Sequence, residues 1–526
     1  MQKMDCGSVS FVYPTLTEIL EPEEAQIEGT LPDWLHDSVY IRTGPGHFDF
    51  KDFSVNHFLD GYAILTRFQI DKNSIKYDRK YLQTDAYKKA LIAQKPVIAE
   101  FGTKAHPDPT KNVLSRFIPS LMPEMSDNCN VCLFTIGNDL FAGADTCMFR
   151  KVDSKTLDCG EKYDTLKLFG LNIWSAHPLE RDGFIYNIGT SFLRGLKYQI
   201  VKIPLPSEGE TSEDALKKAK IICSISSRSA LCASPCHSFG MTEKYIIFIE
   251  QPLIIVAKKM IAGILQKSCK RDYMEYRPEM KNKFHVVEKE TGKLLKTEYL
   301  SADPFFFLHI VNCFEQGNEL VMDMIAFPNA NCIHIDLVDF RNGNEGPEHD
   351  LATTRRFVIP LIDFSEHKDG DIPEDTNLIR SVKTSATAIN HKKVITLTCE
   401  NLSESGLEVP IVHPNFRGKP YSIFYGGGPR TVGFYKNSLC KVDTRAKESI
   451  LFRLAEHEFL GEPMFIPNPN GTEEDDGIII SCVTRAIPEE KSCLMFLDGK
   501  TMKEIARAEF HNFIPLAVHG IFLPNK

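Results

Sequence analysis

Short runs dominated by β-branched and aromatic residues, each bounded by Gly, Pro, Asn or Asp, recur from one end of the chain to the other. YIIFIEQPLII at 245–255, NELVMDMIAF at 318–327, KKVITLTCENL at 392–402 and GIIISCVTRAI at 477–487 are examples, and their composition and length predict strands. Four other runs share one plan, a strand that closes on a charged turn and reopens: FRKVDSKTLD at 149–158, FHVVEKETGKLL at 284–295, LCKVDTRAKESI at 439–450 and MFLDGKTMKEIARAEF at 495–510. Each reads as the outer hairpin of a propeller blade. Imperfect repeats of antiparallel sheet along a whole chain predict radial closure, because a propeller leaves only short, protected edges. The expected fold class is therefore all-β, one large β-propeller with loop and helix insertions. The repeat is too weak to fix the number of blades. The closing FIPLAVHGIF at 513–522 reads as a terminal strand drawn into the interior, where its histidine needs a partner.

Two segments break the strand rhythm. PLIIVAKKMIAGILQKSCKR at 252–271 sets Ile255, Ile261, Ile264 and Leu265 among Lys258, Lys259, Lys267, Lys270 and Arg271, the composition of an interfacial amphipathic helix. KNVLSRFIPSLMPEM at 111–125 is a shorter apolar patch flanked by bases. Packing on the propeller face and contact with a membrane surface fit both equally. No run of 18 uninterrupted apolar residues occurs, so no membrane-spanning helix is expected.

Composition changes this picture little, at 43% hydrophobic and 25% charged. A net charge of -9 without a large basic block argues against nucleic-acid binding. The first residues, MQKMDCGSVSFVYPTLTEILEPEEAQ, have no basic stretch followed by an apolar one, which makes the cytoplasm the expected compartment. Fifteen cysteines at irregular spacings in so long a chain are expected to be reduced and mostly buried.

The candidate chemistry lies in the histidines. Of sixteen, four stand at the edge of or inside apolar strand-like runs: His177 in NIWSAHPLERDG, His237 in SPCHSFGMTEKYIIFIEQP, His309 in FFFLHIVNCFE and His519 in PLAVHGIF. One such histidine alone is more often a core residue than a ligand. Their spread along the chain raises the odds, because each propeller blade sends the end of its inner strand toward a common axis. Four neutral imidazoles would suit a divalent iron and leave octahedral positions open. A metal-bound imidazole normally donates its other ring N–H to an acceptor, often a carboxylate. Asp145, Glu408 and Glu462 occupy comparably apolar contexts, although spacing alone does not select them.

A sulfur-based zinc site can also be drawn, from Cys129 and Cys132 in C-x-x-C and Cys232, Cys236 and His237 in C-x-x-x-C-H, but no second C-x-x-C follows at finger spacing. Gly426, Gly427 and Gly428 lack a following Lys-Ser or Lys-Thr, so they form no P-loop, and no G-x-S-x-G nucleophile elbow is present.

RTGPGHFDF, HFLDGYAILTRF, EFGTKAHPDPTKNV, the four histidine contexts, FIPNPNGTEEDDGIIIS and FIPLAVHGIF together resemble the carotenoid cleavage oxygenase family, from about residue 25 to the end. CSISS, HSFGMTEKYIIFIEQPL and FHVVEKETGKLL look most like its animal beta-carotene oxygenase branch, particularly the eccentric-cleaving type, with the retinal pigment epithelium isomerohydrolase more distant. The resemblance implies a seven-bladed β-propeller with a helical cap over the iron-bearing face, formed by residues 25–526 as a single domain after an N-terminal extension of residues 1–24. It implies an Fe(2+) held by His177, His237, His309 and His519, with Asp145, Glu408 and Glu462 accepting from the ring N–H groups. It also implies uptake of substrate from a membrane surface through 111–125 and 252–271, in a cytoplasmic, membrane-peripheral protein.

The sequence departs from the family pattern at four places. Asp145 stands where the family has a third glutamate, which predicts a longer or water-mediated bond to its histidine, and Ala144 beside it predicts a wider cavity near the metal. Thr110 replaces the cysteine of a PDPCK motif, which excludes lipid attachment there, and Leu179 replaces the second histidine of HPH. The expected activity is cleavage of one polyene double bond by dioxygen to carbonyl products of the apocarotenal or retinal type. The alternatives are a retinoid isomerohydrolase on the same iron scaffold and a non-catalytic carotenoid-binding protein.

Overall fold

In all four runs with a charged turn the chain makes the same five-residue reversal. The backbone N–H of Leu157, Gly292, Lys447 and Met502 donates to the carbonyl of Asp153, Glu288, Asp443 and Asp498, at 2.8, 2.9, 2.8 and 2.8 Å. Each donor residue is left-handed, with φ of 56, 72, 58 and 56°. Three of the four are not glycine, a conformation costing roughly 1–2 kcal/mol. The leading aspartates offset that cost locally, since the carboxylates of Asp153 and Asp443 each accept two backbone N–H groups of the turn and that of Asp498 accepts one. This shared reversal is the physical content of the repeat seen in the sequence.

The structure is a computed structural model, and it describes residues 12–112, 124–192, 195–342, 351–368, 370–403, 406–428, 437–455, 457–485, 487 and 490–524. The protein is mostly β. Among the described residues the strands form nine sheets, seven of them with four to six strands, and all pairings but one are antiparallel, the exception joining Glu298–Ser301 to Val394–Leu397. The two chain ends are exchanged. Gln26–Gly29 joins the sheet of Gly477–Arg485, Ser492–Asp498 and Glu504–Phe510, with Gln26 opposite Glu509. His519–Leu523 joins the sheet of Ser38–His47, Tyr62–Ile70 and Ile75–Tyr81, with His519 opposite Thr43.

The motif HFLDG is a structural tie. Asp60, fully buried, accepts from the backbone N–H of His57 (3.1 Å) and Gly102 (2.9 Å) and from the Thr103 hydroxyl (2.5 Å), fastening 57–60 to the FGTK segment. Glu100 beside it is 3% exposed and accepts from Ser126 at 2.7 Å. Burial pushes its carboxyl from the ordinary 4.5 up to about 8, against the pull of Lys270. A carboxyl whose pKa is raised on folding stabilises the protein while protonated. That contribution is full below about 4.5 and lost as the pH rises through 8. Melting temperature should therefore fall between pH 5 and 8 more steeply in the wild type than in Glu100→Gln, and identical slopes in the two would overturn the assignment.

The segment 252–271 differs from its expected single helix. Leu253–Val256 is a strand paired with Cys232–Ala233, and only Ala257–Gln266 is α-helical, followed by a 3-10 turn at Lys270–Tyr273. The β-branched run Ile254-Ile255-Val256 prefers the sheet, which buries Ile255. Of 111–125, positions 113–123 lie outside the described residues.

Candidate metal centre

Local irregularities aim the candidate residues. His177 follows the short strand Ile173–Trp174, and His237 lies between Cys232–Ala233 and Gly240–Met241. His309 lies in Phe306–Gln316, where the pairing register shifts between Phe307 and Ile310. Glu408 begins Glu408–Val412 at another register shift, next to Val409 with φ of 48°. Extra residues of this kind turn side chains out of the pleat. His519 opens the final strand.

The four imidazoles converge although their residues are far apart in sequence. Nε2 of His237 is 3.1 Å from Nε2 of His177 and 3.3 Å from that of His309, which is 3.3 Å from Nε2 of His519. One ring nitrogen from each lies within 4.8 Å of the others. The opposite nitrogens meet carboxylates: Nδ1 of His237 at 2.5 Å from Asp145, Nδ1 of His309 at 2.6 Å from Glu408 and Nδ1 of His519 at 2.7 Å from Glu462. Each carboxylate also accepts a backbone N–H, from Ala176 (2.9 Å), Val409 (2.5 Å) and Gly520 (3.0 Å) respectively.

These contacts fix the tautomer. A neutral imidazole that donates through Nδ1 has a bare lone pair on Nε2, so the centre holds lone pairs facing one another at close range. A cation between them relieves the repulsion. Nitrogens about 2.1 Å from a common ion and at right angles to one another are about 3.0 Å apart, which matches the observed spacing. A set of four imidazole nitrogens suits zinc, copper, iron or nickel. The donor set therefore fits a divalent transition metal.

Electrostatics favour the neutral ring at His177 and His309. Burial, aided by the three neighbouring rings, holds His177 well below the ordinary histidine range. Burial lowers His309 despite Glu408. At His237 burial acts in the same direction, but Asp145 overcomes it and the pKa is raised. Burial works against ionisation of Glu462, yet His519 and the Gly520 N–H keep it below the usual range.

The structure corrects one sequence expectation. The shorter Asp145 makes a direct bond to its histidine, neither lengthened nor bridged, because the segments bearing His177 and His237 are drawn toward it: its second oxygen holds Ala176, and Ser175 Oγ donates to the His237 carbonyl at 2.6 Å. Neither C-x-x-C nor C-x-x-x-C-H forms a metal group. Among the described residues the clusters able to hold an ion contain no cysteine, and His237 belongs to the four-histidine centre. The described cysteines, Cys129, Cys132, Cys232 and Cys236 included, are free thiols. Ala144 is buried in an apolar cluster with Val131, Cys132 and Ala176. Among the described residues no carboxylate accompanies His177; its backbone N–H donates to Ser175 Oγ at 3.2 Å. Ser175 and Ser238, which donates to the Leu308 carbonyl, are positioning residues that no sequence signal marked.

A cavity of about 670 Å³ adjoins the centre, with His177, His309 and His519 in its wall beside Leu133, Ile310, Ile411 and Ile521. A family model described as retinal pigment epithelial membrane protein matches residues 12–524. Beta,beta-carotene 15,15'-dioxygenase of Mus musculus is 33% identical over 519 residues, 97% of this chain and 90% of that one. The mitochondrial carotenoid-cleaving dioxygenase of Homo sapiens is 36% identical over 544 residues, 99% and 92% of the two chains. Among solved structures, cobalt-substituted Synechocystis apocarotenoid oxygenase superposes with a TM-score of 0.76 at 19% identity, covering 98% of each chain.

Proposed function

The chain belongs to the retinal pigment epithelial membrane protein family, and from that premise we propose that it is a metal-dependent dioxygenase that cleaves a carotenoid double bond into two carbonyl products. The observation that carries this reading is the convergence of His177, His237, His309 and His519, three of them oriented by Asp145, Glu408 and Glu462. These four would hold Fe(2+), and the ion when bound supplies the redox chemistry by which dioxygen attacks the polyene.

The rest is the work of the chain. Insertion of both oxygen atoms into one C=C bond yields two C=O groups with no proton gained or lost. The centre accords with this, since its three carboxylates already accept from imidazole and backbone N–H groups and none is placed as a general base. Apolar wall residues such as Ile310 and Ile411 leave the polyene to be fixed by shape.

The finer architecture is part of the proposal. Seven sheets of four or more strands and the exchange of the chain ends support a closed seven-bladed propeller with a helical cap, residues 25–526 acting as one domain. The helix Ala257–Gln266 leaves Ile261 58% and Leu265 45% exposed beside Lys258 and Lys259, which supports contact with a membrane surface. Among the described residues no helix is long and apolar enough to cross a membrane. A cytoplasmic, membrane-peripheral location fits that surface.

The test is incubation of iron-loaded protein with beta-carotene or a xanthophyll under labelled dioxygen, followed by product chromatography and mass analysis. Labelled retinal, or a labelled apocarotenal with an ionone fragment, is the expected result and also reports which bond is cut. An alcohol from a retinyl ester would assign isomerohydrolysis instead, and full iron occupancy without product from any carotenoid would leave only binding.

A further inference from the structure

Among the described residues, the wall of the cavity beside the metal centre carries one cationic side chain, Arg417. Its position is built. Arg417 follows the 3-10 turn Pro414–Phe416, and the buried Asn312 clamps the loop around it, donating to the carbonyls of Phe416 (2.9 Å) and Lys419 (3.2 Å) and accepting from the N–H of Gly418 (2.8 Å). Its own carbonyl accepts from Arg181 at 3.2 Å. Gly418 has φ of 75°, a left-handed backbone that favours glycine.

The backbone of Arg417 is therefore engaged, while its guanidinium is not. Among the described residues it makes no side-chain hydrogen bond and no ion pair. Neither of the other two charged residues described in the wall pairs with it: Glu180 is not within ion-pairing distance, and Glu462, whose oxygens accept from His519 and Gly520, acts on it only through its field. The side chain is accessible from the cavity, yet enough protein surrounds it for desolvation to lower its pKa against the pull of Glu462. Its field extends to His177. A guanidinium that opens into a mostly apolar cavity with no ion-pair partner leaves its charge unneutralised there. Its planar fork matches one chemistry best, a small planar oxyanion with two adjacent oxygens.

We propose that Arg417 forms an anion site in the cavity beside the metal centre, one that takes a small planar monoanion of the carboxylate or bicarbonate type. The site is distinct from the four imidazoles. The anion pairs with the guanidinium and does not coordinate the metal, so the site is present with or without the ion.

The probes are 13C-formate and 13C-bicarbonate, observed by 13C relaxation at constant ionic strength with the metal-loaded and the metal-free protein. Saturable line broadening by wild type in both forms is expected, with additional paramagnetic relaxation in the iron form because the anion shares the metal's cavity. The two probes separate an organic acid from bicarbonate as the preferred ligand. Arg417→Met should weaken binding at least tenfold, and Arg417→Lys, which keeps the charge without the fork, should weaken it less. Asn312 and backbone groups hold the loop, so both variants should keep the wild-type metal content and melting temperature. Broadening that is unchanged in Arg417→Met, that requires the metal, or that is absent from the wild type would overturn the proposal. None of these results depends on whether carotenoid is cleaved.

Discussion

Replacing His309 with alanine should take carotenoid cleavage below detection and strip most of the metal from the purified protein. The loss is large because His309 does two things at once: its Nε2 lies 3.3 Å from those of both His237 and His519, and its Nδ1 is tied to Glu408 at 2.6 Å. Without it the remaining nitrogens are one donor short, and a carboxylate 6% exposed is left beside an apolar gap. The strand itself should survive, because Phe306–Gln316 stays paired along Glu319–Phe327 on both sides of the irregularity that carries the histidine. The variant should fold, with a lower melting temperature reflecting mainly the lost stabilisation by bound metal. Metal analysis, circular dichroism and product chromatography together check this. A folded His309→Ala protein retaining stoichiometric iron and wild-type turnover would show that the metal is held elsewhere.

Asp145 should be the most sensitive of the three carboxylates. Glu408 secures one histidine and accepts the N–H of Val409 in its own segment, and Glu462 secures His519 and the N–H of the adjacent Gly520, whereas Asp145 joins two of the histidine-bearing segments, through Nδ1 of His237 and through the N–H of Ala176 just before His177. Removing an acceptor from a metal-bound imidazole typically weakens the metal 10–100-fold. Asp145→Ala loses both bonds and should fall near the upper end, about 100-fold. Asp145→Asn can still accept from Ala176 through its amide oxygen while losing the carboxylate at Nδ1, and should cost about 10-fold, or ~1.4 kcal/mol. Competition with a chelator of known affinity measures both. Equal losses in the two variants would mean that the bond to Ala176 contributes nothing.

The four histidines were legible because each interrupts an apolar run, where an imidazole without a partner is costly. The charged turns were legible because the whole signal is local, an acid followed four residues later by a left-handed position. The carboxylates were named through the family resemblance and not through their spacing, since Asp145 reaches His237 across 92 residues and no local signal marks that bond. The expectation of a stretched Asp145 contact failed for a related reason: side-chain length decides a distance only when the backbones are fixed, and here Ser175 and Asp145 draw the two histidine segments together. The stretch 252–271 was misjudged because its apolar residues were read as one face of a helix, when the first of them, Ile255, pairs with Cys232–Ala233 instead. Arg417 and Asn312 left no trace in the sequence, because their significance comes from segments about 100 residues apart meeting at the cavity wall.

The exchange of strands between the two ends sets an order of events during biosynthesis. A ribosome delivers the polypeptide from its amino terminus, so the earlier sheets can collapse before the strand that carries His519 is made. His519 is made after the other three histidines, and it reaches the centre only when its strand zips onto Ser38–His47. Before residue 519 has been made the nascent chain offers three imidazoles and an open seam, so the full donor set follows closure of that seam, and a product ending before residue 519 would lack both the closing strand and the fourth nitrogen donor.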